Sequence, residues 1–260
     1  MPDNSEYKTI LGIDLGSRNV KTARWENGIV ISTSTFETIT FYKQFGRQSE
    51  GGFLIDLSAP EFAGVKKVVA TGYGRMAASV TGAENISEIS AHYFGAIYQT
   101  NLRDFTLVDI GGQDFKLMWI ENGDIKDFAT NDKCAASSGR YLENMARVLG
   151  ITLEEIGRYY EDPVSLSSTC AIFGESELIG KIVRGEPVSR CAAGVNRSIV
   201  ERFMPFLNRM GEGLIVLSGG VALNGAVVRL MKDMTGREVT VLDDPVHNGA
   251  IGCCVSKKTV

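Results

Sequence analysis

One turn occurs twice in this chain, at a fixed spacing. Asp14-Leu15-Gly16-Ser17-Arg18-Asn19-Val20-Lys21 leads on to Glu26-Asn27-Gly28, and Asp109-Ile110-Gly111-Gly112-Gln113-Asp114-Phe115-Lys116 leads on to Glu121-Asn122-Gly123. Corresponding residues lie 95 apart throughout (109 − 14, 116 − 21, 122 − 27). In each copy an apolar run, Ile10 to Ile13 or Leu107-Val108, ends in an aspartate and a glycine turn. A second strand then closes on Asn-Gly, the pair suited to a two-residue hairpin. An aspartate at a strand end is placed to hold a divalent cation. The glycine turn offers backbone N–H groups to a phosphate, and the lysine adds positive charge. Two such hairpins make a clamp for the phosphates of a nucleotide, so the duplication predicts an α/β fold of two like domains that hydrolyses ATP.

The chain has 260 residues, enough for two domains. A formal net charge of −4 gives no global attraction to nucleic acid or to an anionic membrane. No apolar run approaches the roughly 20 residues of a membrane-spanning helix. The polar start, Met1 to Glu6, does not read as a secretory signal, and a cytoplasmic protein is expected.

The first copy ends near residue 104. After its hairpin comes a less regular stretch around Phe36–Phe62, then the strand Val65 to Ala70. Thr71-Gly72-Tyr73-Gly74-Arg75 is expected to open a helix, and Ile89, Tyr93, Ala96 and Ile97 show helical spacing. The second copy, 105–245, carries an insertion between its hairpin and its last strand. Within it, Tyr141, Leu142, Met145, Val148 and Leu149 form a helical stripe ending at Gly150, and Ile172, Phe173, Ile179, Ile182 and Val183 form another. A last strand, Leu214 to Leu217, runs into Ser218-Gly219-Gly220 and then a helix, a junction that lets a ligand approach the backbone. A small-residue helix over 246–260 is expected to rejoin the first domain.

Five cysteines, at 134, 170, 191, 253 and 254, are an odd and scattered set with no Cys-x-x-Cys pair, which argues against a disulfide framework. With only His92 and His247 present, an ordinary zinc site is not expected. Cys134 and Cys170 each fall at or near a predicted helix start. A buried small hydrophobe is the ordinary state of a free cysteine. A helix N-terminus, however, also lowers a thiol's pKa and favours anionic charge, as a thiolate-bound iron–sulfur cluster requires. A [4Fe–4S] cluster takes four thiolates, so two per chain suffice if a two-fold axis passes through it.

The two phosphate turns followed by a Gly-Gly turn resemble the actin, Hsp70 and sugar-kinase superfold. That likeness implies two duplicated actin-like (ribonuclease H-like) domains with ATP in the cleft between them. Asp14 and Asp109 then hold magnesium, largely through water. Gly16, Ser17, Arg18, Asn19, Lys21, Gly111, Gly112 and Gln113 serve the phosphates, with Gln113 or Asp114 orienting the attacking water. Gly219, Gly220 and Asn224 border the adenosine.

A narrower likeness rests on five stretches in order: Thr71 to Arg75, Asp109 to Asp114, Asn131-Asp132-Lys133-Cys134-Ala135-Ala136, Cys170-Ala171-Ile172-Phe173-Gly174-Glu175-Ser176-Glu177, and Ser218 to Ala222. Together they resemble the activator component of 2-hydroxyacyl-CoA dehydratases, in the BadF/BadG/BcrA/BcrD-type ATPase family. The resemblance implies a homodimer whose Cys134 and Cys170 ligate one [4Fe–4S] cluster shared between subunits. It also implies ATP, ADP and Mg2+ as ligands, an upstream donor such as ferredoxin or flavodoxin, and a low-potential electron passed to a partner. That partner is an iron–sulfur dehydratase, a benzoyl-CoA reductase or a double-cubane-cluster protein. Cys191, Cys253 and Cys254 match no ligand motif and read as structural. The chain departs from the family pattern at Ser137, Ser138, Gly174 and Leu223, which leaves both proposed ligands intact. An actin-type assembly protein without redox chemistry, or a small-molecule kinase, stands as the alternative. Neither requires the two helix-start cysteines.

Overall fold

The computed structural model describes residues 9–50, 52–72, 74, 78–131, 138–167 and 171–256. They divide into two compact units, 9–101 with 246–256, and 102–245.

In the first unit, β1 (Thr9–Leu15), β2 (Asn19–Glu26) and β3 (Ile29–Glu37) form an antiparallel meander. β6 (Lys67–Thr71) lies parallel to β1 and β8 (Ala83–Asn85) parallel to β6, for the order β3-β2-β1-β6-β8. Asn27 (φ 48°) and Gly28 (φ 100°) occupy the left-handed positions of the hairpin turn that Asn-Gly predicts. Because side chains alternate along a strand, central β1 serves two faces. Leu11, Ile13 and Leu15 pack with Phe41, Phe45 and Phe62 on one side. Ile10 packs with Ala91, Ala250, Ile251, Cys253 and Cys254 on the other. Asp14 shares the parity of Ile10, which aims it at the face covered by α2 (Glu88–Thr100) and α8 (Asn248–Val255).

Two sequence expectations change here. The stretch taken as irregular is ordered: α1 (Thr38–Phe45) is followed by β4 (Gly46–Ser49) and β5 (Gly52–Ile55), which join β7 (Ala78–Val80) in a small sheet. Aromatic packing organises it, with Phe41 and Phe45 one helical turn apart at 4.9 Å and Phe45 against Phe62 at 5.1 Å between ring centroids. The turn after Thr71 leads to β7 and β8 rather than directly to a helix, and α2 starts only at Glu88. Ala78, Ser79 and Val80 alternate buried, exposed, buried, the strand period, and β7 pairs in parallel with β5.

The second unit repeats the first sheet's plan. β9 (Phe105–Ile110), β10 (Phe115–Glu121) and β11 (Asp124–Asn131) form the meander, and β12 (Ile215–Ser218) and β13 (Val239–Val241) add in parallel, for the order β11-β10-β9-β12-β13. Asn122 (φ 55°) and Gly123 (φ 79°) close this hairpin as Asn27 and Gly28 close the other. The insertion holds α3 (Gly139–Leu149), α4 (Leu153–Ile156), α5 (Ala171–Val183) and α6 (Val188–Leu207), with α7 (Gly225–Thr235) after β12. The predicted stripe of α3 is buried at Tyr141, Leu142, Met145 and Leu149, and Gly150 (φ 69°) caps it. The stripe of α5 is different. Leu178 is fully buried, whereas Phe173, Ile179 and Val183 are 69%, 45% and 80% exposed. Among the described residues, no helix is long and apolar enough to cross a membrane.

Candidate functional site

Each aspartate is the last residue but one of the first strand of its meander, and both are withdrawn from solvent: Asp14 is 5% exposed and Asp109 2%. A carboxylate is buried this far only with partners that offset its lost hydration. In the first unit the antiparallel register sets Asp14 opposite Lys21, whose Nζ lies 3.3 Å from Asp14 Oδ2. The Asp14 carboxylate also faces the first turn of α8, where a Cβ added to Gly249 would sit 3.2 Å from its Oδ2. Ser17 and Arg18 are exposed on the turn, while Gly16 and Asn19 are partly covered. Thr38 braces the loop: its Oγ1 donates to the Gly16 carbonyl at 2.8 Å and its N–H to the Arg18 carbonyl at 3.3 Å.

The second hairpin has the same register, with Lys116 opposite Asp109, but its hydrogen bonds run differently. Lys116 Nζ meets Asp114 Oδ2 at 2.7 Å. Asp109 Oδ1 accepts the Ser218 hydroxyl at 2.8 Å. Gly111 N–H donates to the Asp114 carbonyl at 2.9 Å, a tight loop that leaves Gln113 exposed at its tip. Asp114, held by Lys116, is thus less open than Gln113 of the two residues considered for orienting water.

Two further bonds reach outward from this turn. Gly139 and Arg140, the first residues of α3, donate their N–H groups to the carbonyls of Gly111 and Gly112 at 2.9 and 3.0 Å. These are among the helix-start donors that have no partner within their own helix. The structure shows a direct tie within one unit.

The third predicted element, Ser218-Gly219-Gly220, lies at the end of β12. Gly219 has φ 84°, and a Cβ there would fall 2.6 Å from the Ile110 backbone carbon, so the turn must stack on the residue after Asp109. The first unit holds a counterpart that sequence reading missed. Gly72, after Thr71 at the end of β6, has φ 97° and would set a Cβ 2.6 Å from the Leu15 carbon, the residue after Asp14. The signal is an apolar strand ending in Ser-Gly or Thr-Gly, 147 residues apart (218 − 71, 219 − 72). Asn224 is an N-cap: its Oδ1 accepts from Val227 N–H at 3.0 Å and its Nδ2 donates to Asn196 Oδ1 at 3.0 Å. Both ends of this amide are engaged inside the unit, where Asn196 in turn donates to the Ile156 and Tyr159 carbonyls at 2.7 and 2.8 Å.

Cys134 and Cys170 lie outside the described residues. The other three cysteines are buried and free. Burial raises all three thiol pKa values: Cys191 above the ordinary value, Cys253 well above it, and Cys254 up to about 12. These thiols stay protonated at neutral pH, the inert state of a structural cysteine. Among the described residues, no group of three or more His, Cys, Asp or Glu side chains is arranged to hold a metal.

The BadF/BadG/BcrA/BcrD ATPase family is matched over residues 11–255. The chain belongs to this family. It is 39% identical over 255 residues to the activator of lactoyl-CoA dehydratase of Anaerotignum propionicum, covering 94% of this chain and 95% of that one. Among solved structures, the activator of the 2-hydroxyisocaproyl-CoA dehydratase from Clostridium difficile with bound ADPNP matches with TM-score 0.78 and 31% identity, over 95% of this chain and 93% of that one. The Acidaminococcus fermentans (R)-2-hydroxyglutaryl-CoA dehydratase component A matches with TM-score 0.77 and 31% identity, over 95% and 96%. These likenesses extend through both meanders, so the two sheets are those of an actin-like ATPase. Within this ATPase family, the two buried aspartates and their glycine turns are the chain's candidate phosphate-handling parts.

Proposed function

We propose that this protein is an ATP-driven activator that passes a low-potential electron to a partner iron–sulfur enzyme. Asp14 and Asp109 hold Mg2+, largely through water. Gly16, Ser17, Arg18, Asn19, Lys21, Gly111, Gly112 and Gln113 bind the phosphates, Gly219 and Gly220 border the adenosine, and Gln113 orients the water that attacks the γ-phosphate. The domains follow the duplication, 1–104 with 246–260 and 105–245. Cys134 and Cys170 from each of two chains hold one [4Fe–4S] cluster, which supplies one-electron transfer when bound. The donor set fits. Cys191, Cys253 and Cys254 are enclosed in the packed interior, which leaves Cys134 and Cys170 as the candidate donors, two per chain and four per dimer. The exposed apolar residues of α5, beginning at Phe173, supply a face that a second chain can cover.

The observation that carries this reading is the tie between Gly111-Gly112 and the start of α3. It joins a phosphate turn to residues five and six positions beyond Cys134, a short mechanical path from nucleotide state to cluster surroundings. The partner is a dehydratase or reductase of the kind named for the relatives, the upstream donor is ferredoxin or flavodoxin, and the setting is the cytoplasm. The test uses the anaerobically purified protein with reduced ferredoxin and a candidate partner. ATP-dependent reduction of that partner, lost in Cys134→Ala while nucleotide binding persists, is the expected result. Partner reduction that proceeds equally without ATP, or a colourless protein without iron, refutes the reading.

A further inference from the structure

Beside the two hairpins, the strand that runs parallel to each aspartate's own uses a hydroxyl in two different ways. The residue paired with each aspartate on the neighbouring parallel strand carries a hydroxyl: Thr71 beside Asp14 and Ser218 beside Asp109. Both are fully buried. In the first unit the Thr71 hydroxyl donates away from the site, to the Ile86 carbonyl at 3.1 Å. In the second the Ser218 hydroxyl donates to Asp109 Oδ1 at 2.8 Å.

We infer that Ser218 is a positioning residue that sets the Asp109 carboxylate for its cation, and thereby links the seating of adenosine to the binding of magnesium. The inference rests on the assignment of Asp109 to magnesium proposed above. A serine hydroxyl has one proton. Here it faces two acceptors, the Asp109 carboxylate at 2.8 Å and the Pro245 carbonyl at 3.3 Å, and the shorter, charged acceptor takes it. Donation to Oδ1 restrains rotation of a carboxylate that is itself 2% exposed, so the oxygens face the cation in one orientation without reorganisation. The same residue is the last of β12 and the first of Ser218-Gly219-Gly220. The Gly219 N–H donates to the same Pro245 carbonyl at 2.8 Å. Backbone that shifts to admit adenosine at Gly219-Gly220 therefore moves the donor that holds Asp109. The first copy, with its hydroxyl turned to Ile86, has no such route through Thr71.

The experiment measures ATP turnover of the full chain against Mg2+ concentration at fixed ATP, together with nucleotide affinity without Mg2+, for Ser218→Ala, Ser218→Thr, Thr71→Val and Asp109→Asn. Ser218→Ala is expected to raise the Mg2+ concentration for half-maximal turnover about tenfold, the scale of one hydrogen bond to a charged group. Nucleotide affinity without Mg2+ is expected to stay within about twofold of the parent's. Ser218→Thr, which keeps the donor, restores the Mg2+ dependence, and Thr71→Val leaves it unmoved. A circular-dichroism melt of each variant separates folding loss from the Mg2+ effect. If Ser218→Ala keeps the parent's Mg2+ dependence while Asp109→Asn loses it, the positioning role is overturned and the magnesium assignment stands. Equal shifts in Ser218→Ala and Ser218→Thr also overturn it, since the hydroxyl is then not the cause. If Asp109→Asn itself turns over ATP with the parent's Mg2+ dependence, the magnesium assignment falls and this inference with it.

Discussion

Gly139→Pro cuts one strand of the proposed path from nucleotide to cluster. Gly139 is the first residue of α3, where proline is tolerated because its fixed φ matches the helix and its N–H is not needed by the helix. Ser138 before it is extended, with φ −132° and ψ 173°, as a residue preceding proline prefers. A Cβ at Gly139 meets its nearest neighbours, Gly111 O and Gly112 Cα, at 3.4 Å, an ordinary contact. The substitution removes the 2.9 Å bond from Gly139 N–H to the Gly111 carbonyl and sets the ring Cδ where that proton was, so the carbonyl must swing away, while the Arg140 N–H that donates to Gly112 at 3.0 Å is kept. One such bond contributes about 0.5–1.5 kcal/mol, while proline's restriction of the unfolded chain returns roughly 0.4–1 kcal/mol. With the displaced carbonyl added, global stability should fall by about 1–3 kcal/mol. The coupling loses one of its two strands, so the ratio of cluster chelation rates with ATP and with ADP should fall by about two- to tenfold. The assay is stopped-flow removal of iron by bathophenanthroline under argon, with a thermal melt alongside. An unchanged ratio in the folded variant refutes the idea that the turn speaks to the cluster through α3.

Other outcomes follow from the same geometry. Asp14→Asn or Asp109→Asn should slow Mg2+-dependent ATP turnover about a hundredfold, the scale on which single charge-stabilising groups act, with the far-ultraviolet spectrum unchanged. Parent rates in both variants defeat the assignment. With the cluster removed, iodoacetamide at pH 7 should label two cysteines per chain. Cys254, raised from 9.0 to about 12, holds about a thousandfold less thiolate than an ordinary thiol before burial is counted. Because the folded pKa is raised, its labelling rises with pH up to about 12. Peptide mapping that finds Cys253 or Cys254 labelled as fast as the rest contradicts this, as does iron near four atoms per chain rather than roughly two. Gly252→Ala should cost about 1–3 kcal/mol and lower the melting temperature by several degrees, since the new Cβ of α8 would sit 2.6 Å from the Ala91 backbone carbon of α2. A parent-like melt shows that the helices are not so closely packed.

The features that the sequence determined by itself are local. Asn27-Gly28 and Asn122-Gly123 demand left-handed backbone between the second and third strands of each meander, and the short turns 16–18 and 111–114 set Asp14 and Asp109 opposite Lys21 and Lys116. The helix of α3 and its stop at Gly150 were equally legible, because a 3.6-residue stripe and a terminal glycine need no distant partner. The candidate site could be proposed as a set of motifs for the same reason. What only the tertiary structure decided is how those motifs are joined. Ser218 bonds Asp109 across 109 residues of chain, and the α3 amides find carbonyls at Gly111 and Gly112. No periodicity encodes pairs so far apart. The stripe of α5 makes the point in reverse. Its spacing marks Phe173, Ile179 and Val183 as candidates for burial, yet the fold turns Leu178 inward and leaves those three exposed. Periodicity selects a face of a helix, but only the packing of its neighbours selects what that face meets.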